Sequence, residues 1–402
     1  MSFQQGLSGL NAAAKNLDVI GNNVANSNTA GFKQGVATFG DVFAASLGGG
    51  GGTQVGIGTQ ITGVGQQFSQ GNVTVTNNPL DVAINGKGFY RMSNNGTISY
   101  TRNGGFSLDK NGYIVSGNGQ HLTGFQAVNG AIVPGVLTDL QLSSTDLLPK
   151  ASASAGVGAN LASTDPILPS AGFVATNPAT YNFSTASTAY DSLGQSHTMT
   201  FYFNKTAANT WDTNVYIDGA AANGVGVSSL SFSSSGTFAS ATNPVKTAAL
   251  ANGAAPLSIT MDYARMTQFG SGFGVNSLSQ DGYASGQLSG YNIGADGIIL
   301  GRYTNGQTQS LGQVALSNFT NPQGLSPLGD SMWAESSNSG VPLTGAPGTA
   351  SLGALQSAAK EDSNVDLTAE LVNMITAQRV YQANAQSIKA QDAVLQTLVN
   401  LK

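Results

Sequence analysis

The chain reads as a mainly β protein with long terminal α-helices, arranged as a nested multi-domain rod. Its terminal helices form a coiled-coil-like inner domain beneath two stacked β domains. Three observations predict this. Residues 3–24 carry apolar positions seven apart, and so do residues 367–399. The long middle has no helical period; short alternating runs are separated by Asn-Gly and Asp-Gly turns. The order is helix, β, a different β block, the first β style again, then helix, as expected if each layer is built from a front and a back piece of the chain.

The N-terminal helix is predicted from about Ser2 to Ala25. Phe3, Leu10, Leu17 and Val24 form its stripe, with Leu7, Ala14 and Gly21 interleaved. Asn22, Asn23 and Asn26 lie at its end and Gly31 serves as a stop. A low-charge link follows, and its five successive glycines, Gly48 to Gly52, are a candidate hinge or a plain loop tip. From Val73 to Phe125 the pattern is a meander, with turns at Asn94-Asn95-Gly96, Lys110-Asn111-Gly112 and Gly117-Asn118-Gly119. A second β block begins near Ser152 and includes strands at 198–203 and 213–217. The meander style returns past Gly282. The last helix, with Ser363 or Asn364 as N-cap, spans about 38 residues, roughly 55 Å. Its stripe is Leu367, Met374, Tyr381, Ile388 and Leu395, interleaved with Leu371, Gln378, Ala385, Asp392 and Val399. The domain boundaries that follow are a helical inner domain at 1–33 plus 358–402 and a connecting region at 34–72 plus 330–357. A β meander domain follows at 73–148 plus 283–329, and an inserted outer β domain at 149–282.

An intramolecular hairpin of the two ends would satisfy the heptads. Two details favour pairing between copies. The stripes are diluted by small and polar residues, and the remaining faces carry Asn, Gln and Ala where a solvated helix usually carries Glu and Lys. The assembly residues expected are therefore Phe3, Leu7, Leu10, Ala14, Leu17, Val24, Leu367, Leu371, Met374, Tyr381, Ile388, Leu395 and Val399.

Composition excludes several classes. Charged residues are 9% of the chain, against a usual ~25%, and the net charge is −5. No Lys or Arg occurs from Gln34 to Gly86, so no phosphate-neutralising stripe exists and a nucleic-acid partner is not expected. The chain has no cysteine, which removes disulfides and thiolate chemistry. The N-terminus lacks a basic start, an apolar run and a cleavage site, so it does not read as a signal peptide. No run of ~18 apolar residues spans a membrane. His121 and His197 are the two histidines. Asp191, Ser192 and His197 superficially offer a triad, but Asp191-Ser192-Leu193-Gly194 reads as a hairpin turn. No catalytic, cofactor or metal site is expected, and the chain is not expected to be an enzyme.

Ser8-Gly9-Leu10-Asn11-Ala12-Ala13-Ala14, continuing through Leu17-Asp18-Val19-Ile20-Gly21-Asn22-Asn23-Val24-Ala25-Asn26 to Thr29-Ala30-Gly31-Phe32-Lys33, resembles the N-terminal signature of the bacterial flagellar rod and hook proteins. Ser363-Asn364-Val365-Asp366-Leu367 with Glu370 to Ile375, Gln378-Arg379 and Tyr381-Gln382 is similar to their C-terminal signature. Leu80-Asp81-Val82-Ala83-Ile84 with Gly86 and Gly88-Phe89-Tyr90 looks like their shared β entry. The long insertion, with Tyr190 to Gly194 and Met266 to Ser271, resembles the hook members; a distal-rod subunit is the alternative within the family, and a secreted β-rich adhesin the alternative outside it. The resemblance implies a structural subunit that self-assembles through its terminal helices into a curved, flexible extracellular tube. That tube is a universal joint passing motor torque from rod to filament. It further implies a homo-oligomer, partners among rod, hook-cap and hook–filament junction proteins, and export by the flagellar type III apparatus without a cleaved signal.

Overall fold

In the computed structural model the described residues are 3–42, 56–142, 145–222 and 227–400, with side chains to residue 397. Gly48–Gly52 and the Val399 side chain fall outside them. The chain divides into two compact units. One comprises residues 1–143, 290–301 and 308–402, the other 144–289 and 302–307.

The first unit carries both helices, α1 (Phe3–Ala25) and α2 (Leu367–Asn400). α2 has 34 residues, shorter than expected, because its cap is Asp366 rather than Ser363 or Asn364. Asp366 Oδ1 accepts from the N–H groups of Thr368 and Ala369 at 2.9 and 3.1 Å, satisfying two orphan donors. Asn364 is engaged elsewhere, accepting from Gln34 N at 2.8 Å and donating to Gln67 O at 2.7 Å. Past α1 the chain forms an antiparallel hairpin of Gly35–Val42 with Gly58–Gln66. Two short pairings then bind the back of the chain to its front: Val73–Val75 with Ala359–Glu361, and Val82–Asn85 with Ala354–Ser357.

The large sheet of this unit is mostly antiparallel neighbours in sequence. Phe89–Asn94 pairs with Thr97–Thr101 across Asn95-Gly96, whose φ values of 48° and 91° are those a two-residue primed turn demands. Strand Thr308–Val314 returns to lie beside His121–Val128, with Gln313 opposite Phe125, and Met332–Ala334 adds to the outer side of Thr97–Thr101. Val82, Ile84, Tyr90, Met92, Leu122 and Leu316 form one core. Phe89, Tyr100, Phe319 and Trp333 form a second, packed edge to face.

The second unit contains a six-stranded and a four-stranded sheet. Strand Thr210–Ile217 alternates strictly, with Trp211, Thr213, Val215 and Ile217 buried, as a half-buried strand should. Phe201, Phe203, Trp211 and Leu230 of one sheet share a core with Val157, Ala159, Ile259 and Met261 of the other.

Candidate assembly site at the paired chain ends

The two ends pair within one chain, antiparallel, on a face the heptad reading did not choose. Gly6, Ala13 and Ile20, again seven apart, are buried on α1 together with Asn23 near its end. On α2 the inward residues are Glu370 and Ala377, 3% and 4% exposed, with Asn384 and Ile388 half-buried. The helices approach closely because α1 has no side chain at two contact points. A Cβ added at Gly6 would sit 2.9 Å from Ile388 Cγ1, and one at Gly9 2.9 Å from Asn384 Oδ1.

The expected stripe lies beside this seam, roughly 60–100° round α1, and it splits. Leu10, Ala14, Leu17, Val24, Met374 and Ile388 are half-buried. Phe3 and Leu7 are exposed, as are Leu367, Leu371, Tyr381 and Leu395. Leu367, Leu371 and Ile375 make a continuous exposed row at helical spacing, and Val372 flanks it.

The signature residues after the helix form a lock between the two ends. Asn26 donates back to Asn22 O at 3.0 Å. Asn23 is 2% exposed and exchanges two 2.8 Å bonds with the backbone of Gly35, fixing the start of the hairpin. Gly31 has φ +70°, and a Cβ there would meet Asn103 N at 2.5 Å, so no side chain fits; its N–H donates to Glu361 O at 2.8 Å. Phe32 is half-buried. Lys33 is sealed in the interior. Its Nζ donates to Glu361 Oε1 and to Ser69 O, both at 2.6 Å. Gly71 N also donates to Glu361 Oε1, and Arg102 Nε lies 3.5 Å from Oε2. Burial holds the Lys33 ammonium below the usual lysine value, with Glu361 opposing the shift. Partners 328 positions apart give no local signal; Lys33 stood out in sequence only through the resemblance.

Of the Asp191, Ser192 and His197 group, the structure keeps two members and adds Asp218, which the sequence did not single out. His197, 9% exposed, lies between two carboxylates: Nδ1 is 2.6 Å from Asp218 Oδ2 and Nε2 is 3.3 Å from Asp191 Oδ2. Burial alone would lower the imidazole pKa, but the hydrogen bonds to Asp218 and Asp191 raise it. Asp191 also caps its own turn through the N–H groups of Leu193 and Gln195 and accepts from Asn252 at 2.5 Å. Burial would push its carboxyl up, but these bonds bring it down to about 2. Ser192 is not in the group; its hydroxyl accepts from Ala255 N at 3.1 Å. The carboxylates occupy opposite sides of the ring, and among the described residues no His/Asp/Glu group converges on a metal position. His121 pairs with Asp139 at 2.8 Å and stacks on Tyr113.

These features define a structural protein built inward from both ends, in which the polar clusters hold segments together. Family models match along its length: "Flagella basal body rod protein" at residues 3–33, "Flagellar hook protein FlgE/F/G D1 domain" at 83–145, "Flagellar basal body protein FlaE D2 domain" at 160–283 and "Flagellar basal body rod FlgEFG protein C-terminal" at 356–401. The chain is 43% identical to the flagellar hook protein FlgE of Escherichia coli K12 and 41% identical to that of Salmonella typhimurium, each covering 100% of both chains. The crystal structure of Helicobacter pylori flagellar hook protein FlgE2 shares the fold, with a TM-score of 0.54 and 15% identity over 72% of this chain and 99% of that one. The chain belongs to the flagellar hook protein FlgE family.

Proposed function

We propose that this chain is the repeating subunit of a flagellar hook, polymerising through its terminal helices into a curved tube that transmits torque as a universal joint. The observation that carries the reading is the face left over by helix pairing. Leu367, Leu371 and Ile375 on α2, with Phe3 and Leu7 on α1, stay exposed beside a seam whose α1 side is glycine, alanine and one isoleucine. An apolar row of this kind on paired helices needs cover. Neighbouring copies supply it, using Phe3, Leu7, Leu10, Ala14, Leu17, Val24, Leu367, Leu371, Met374, Tyr381, Ile388, Leu395 and Val399.

In this reading the helical domain is the inner wall, the meander domain the middle shell and the 149–282 insertion the outer surface. The match at residues 160–283 supports the hook over the shorter rod alternative. The subunit acts outside the cell and has no enzymatic role. It leaves through the type III export apparatus without a cleaved signal, and it meets rod, cap and junction proteins at the ends of the tube. No helix among the described residues is long and apolar enough to cross a membrane. The test is electron microscopy and sedimentation of the purified full chain at rising concentration. Short curved tubes are expected; a chain that stays monomeric at every concentration overturns the proposal.

A further inference from the structure

Asp165-Pro166 is the one Asp-Pro pair in the sequence, and it lies in a turn that Lys205 grips. Lys205, on the strand Ser196–Ala207, is 8% exposed. Its Nζ donates to Ser163 O at 2.5 Å and to Asp165 O at 2.9 Å. The chain is held beyond the pair as well. Leu168 N donates to Lys205 O at 2.7 Å, and Asn182 Nδ2 donates to Pro166 O at 2.9 Å. The ammonium therefore bonds to the carbonyl of the Asp165–Pro166 peptide group and leaves the Asp165 carboxyl alone. Oδ2 of that carboxyl is shut away from solvent with no hydrogen-bond partner. Burial pushes the Asp165 carboxyl up, with Lys205 opposing the shift.

We propose that the chain cuts itself once, between Asp165 and Pro166. The Asp165 carboxyl and the carbonyl carbon it attacks belong to one residue, so their union closes a five-membered ring with no encounter to arrange. Oδ2 has no hydrogen bond to give up first. It bonds to the carbonyl carbon, negative charge develops on the carbonyl oxygen, and Lys205 Nζ already donates to that oxygen. The C–N bond then breaks. The proton of the neutral carboxyl passes to the Pro166 nitrogen, which leaves as a secondary amine, and a cyclic anhydride stays on Asp165. One water opens it to a C-terminal aspartic acid. Thr164 and Pro166 are exposed, so water reaches the anhydride. Proline suits the step because the nitrogen of its tertiary amide is a more basic leaving group than that of an ordinary peptide. The reaction is a single turnover within one chain and does not rest on the assembly reading. The pieces 1–165 and 166–402 would stay together. Ser154–Asn160 pairs with strands Leu257–Asp262 and Gly274–Gln280, and Val157 shares a core with Ile259. The cut is therefore hidden until the chain is unfolded.

The experiment incubates the purified full chain in mildly acidic buffer, native and in guanidinium chloride, and follows the pieces by denaturing gel and intact mass. Asp-Pro bonds break slowly in any unfolded chain in acid, so the comparison isolates what the fold adds. The native chain is expected to be cut about a hundredfold faster than the unfolded one, into one piece ending at Asp165 and one beginning at Pro166. Lys205→Gln should bring the native rate back to the unfolded rate, with circular dichroism showing that the variant is folded. Asp165→Glu, which needs a larger ring, and Pro166→Ala, with a poorer leaving group, should both stop the reaction. A native rate no faster than the unfolded rate overturns the proposal and leaves Lys205 as an anchor for the turn. That comparison uses the natural chain alone, so it decides the matter even where Lys205→Gln fails to fold. A folded Lys205→Gln that is cut at the natural rate, or an Asp165→Glu chain that is still cut at this bond, also overturns it.

Discussion

The second unit and the helix pair solve the same folding problem in opposite ways. In residues 144–289 the large side chains are inside: Phe201, Phe203, Trp211 and Leu230 are 0% exposed. Across the helix pair the small ones are inside, Gly6, Ala13 and Ala377, while Leu7, Leu367 and Leu371 remain more than 40% exposed. Burial of apolar area is worth about 25 cal/mol per Å². The β unit therefore buries its largest aromatic side chains within one chain, while Leu148, Leu193 and Phe269 stay exposed at its surface. The helix pair leaves a larger share of its apolar surface in water. The difference separates residues that hold the monomer from the exposed residues proposed above to serve assembly.

The largest expected effect lies in the β unit. Phe201→Ala should cost about 3–5 kcal/mol, read as a fall in the denaturant midpoint followed by the fluorescence of Trp211 in a Trp333→Phe background. A loss under about 1 kcal/mol would mean that this core is not the self-sufficient body described. Next comes the lock between the ends. Glu361→Gln leaves Lys33 and Arg102 buried without their counter-charge and should cost about 3 kcal/mol. Amide exchange should show the damage as lost protection at Gly31, Gly35 and Gly71, whose N–H groups bond within this region. Protection unchanged there would show that the lock is not what ties the chain ends.

A sharper test of the contrast uses two residues of one sequence stripe. Leu371 is 44% exposed, so Leu371→Asp should change monomer stability by no more than about 0.5 kcal/mol and still abolish tubes. Ile388 packs over Gly6, so Ile388→Asp should both loosen the helix pair, by about 2 kcal/mol, and abolish tubes. Equal monomer stability in the two variants would mean that the helix phase described is wrong.

That phase marks where the sequence stops being legible. The helix at 3–25, its stop at Gly31 and the turns at Asn95-Gly96 and Asn111-Gly112 rest on local chemistry, and the structure has them where the sequence put them. The seam depends on a choice between two heptad phases in the same helix. Hydrophobicity favours Phe3, Leu10 and Leu17; close approach of two backbones favours Gly6, Ala13 and Ile20, and the second prevails for the intramolecular contact. The α2 cap was ambiguous for a similar reason, since Ser363, Asn364 and Asp366 are all capping residues and tertiary bonds claim Asn364. Lys33 with Glu361, and His197 with Asp218, are pairs that only strand pairing brings together.

The smallest expected effect is a pH dependence confined to the β unit. When protonated, His197 donates to both Asp218 and Asp191, joining the 191–195 turn, the turn at Asp218-Gly219 and, through Asn252, a third loop. Its folded pKa is raised from 6.5. The stabilisation is therefore complete below the unfolded value and disappears as pH climbs through the folded one. The carboxylates behave oppositely: Asp191 is brought down from 3.8 to about 2, so its contribution is complete above the unfolded value and lost as pH falls toward 2. Between these limits the cluster is charged on both sides and holds best. His197→Gln should lower stability by about 1 kcal/mol near pH 5.5, a modest figure because Asp218 is half-exposed and water screens that bond. Near about pH 9.5 the difference from the natural protein should shrink, since both side chains are then neutral. Thermal melts of the two proteins across that range read the outcome. A gap that stays constant with pH would assign His197 a packing role alone, with the proton carrying none of the stabilisation.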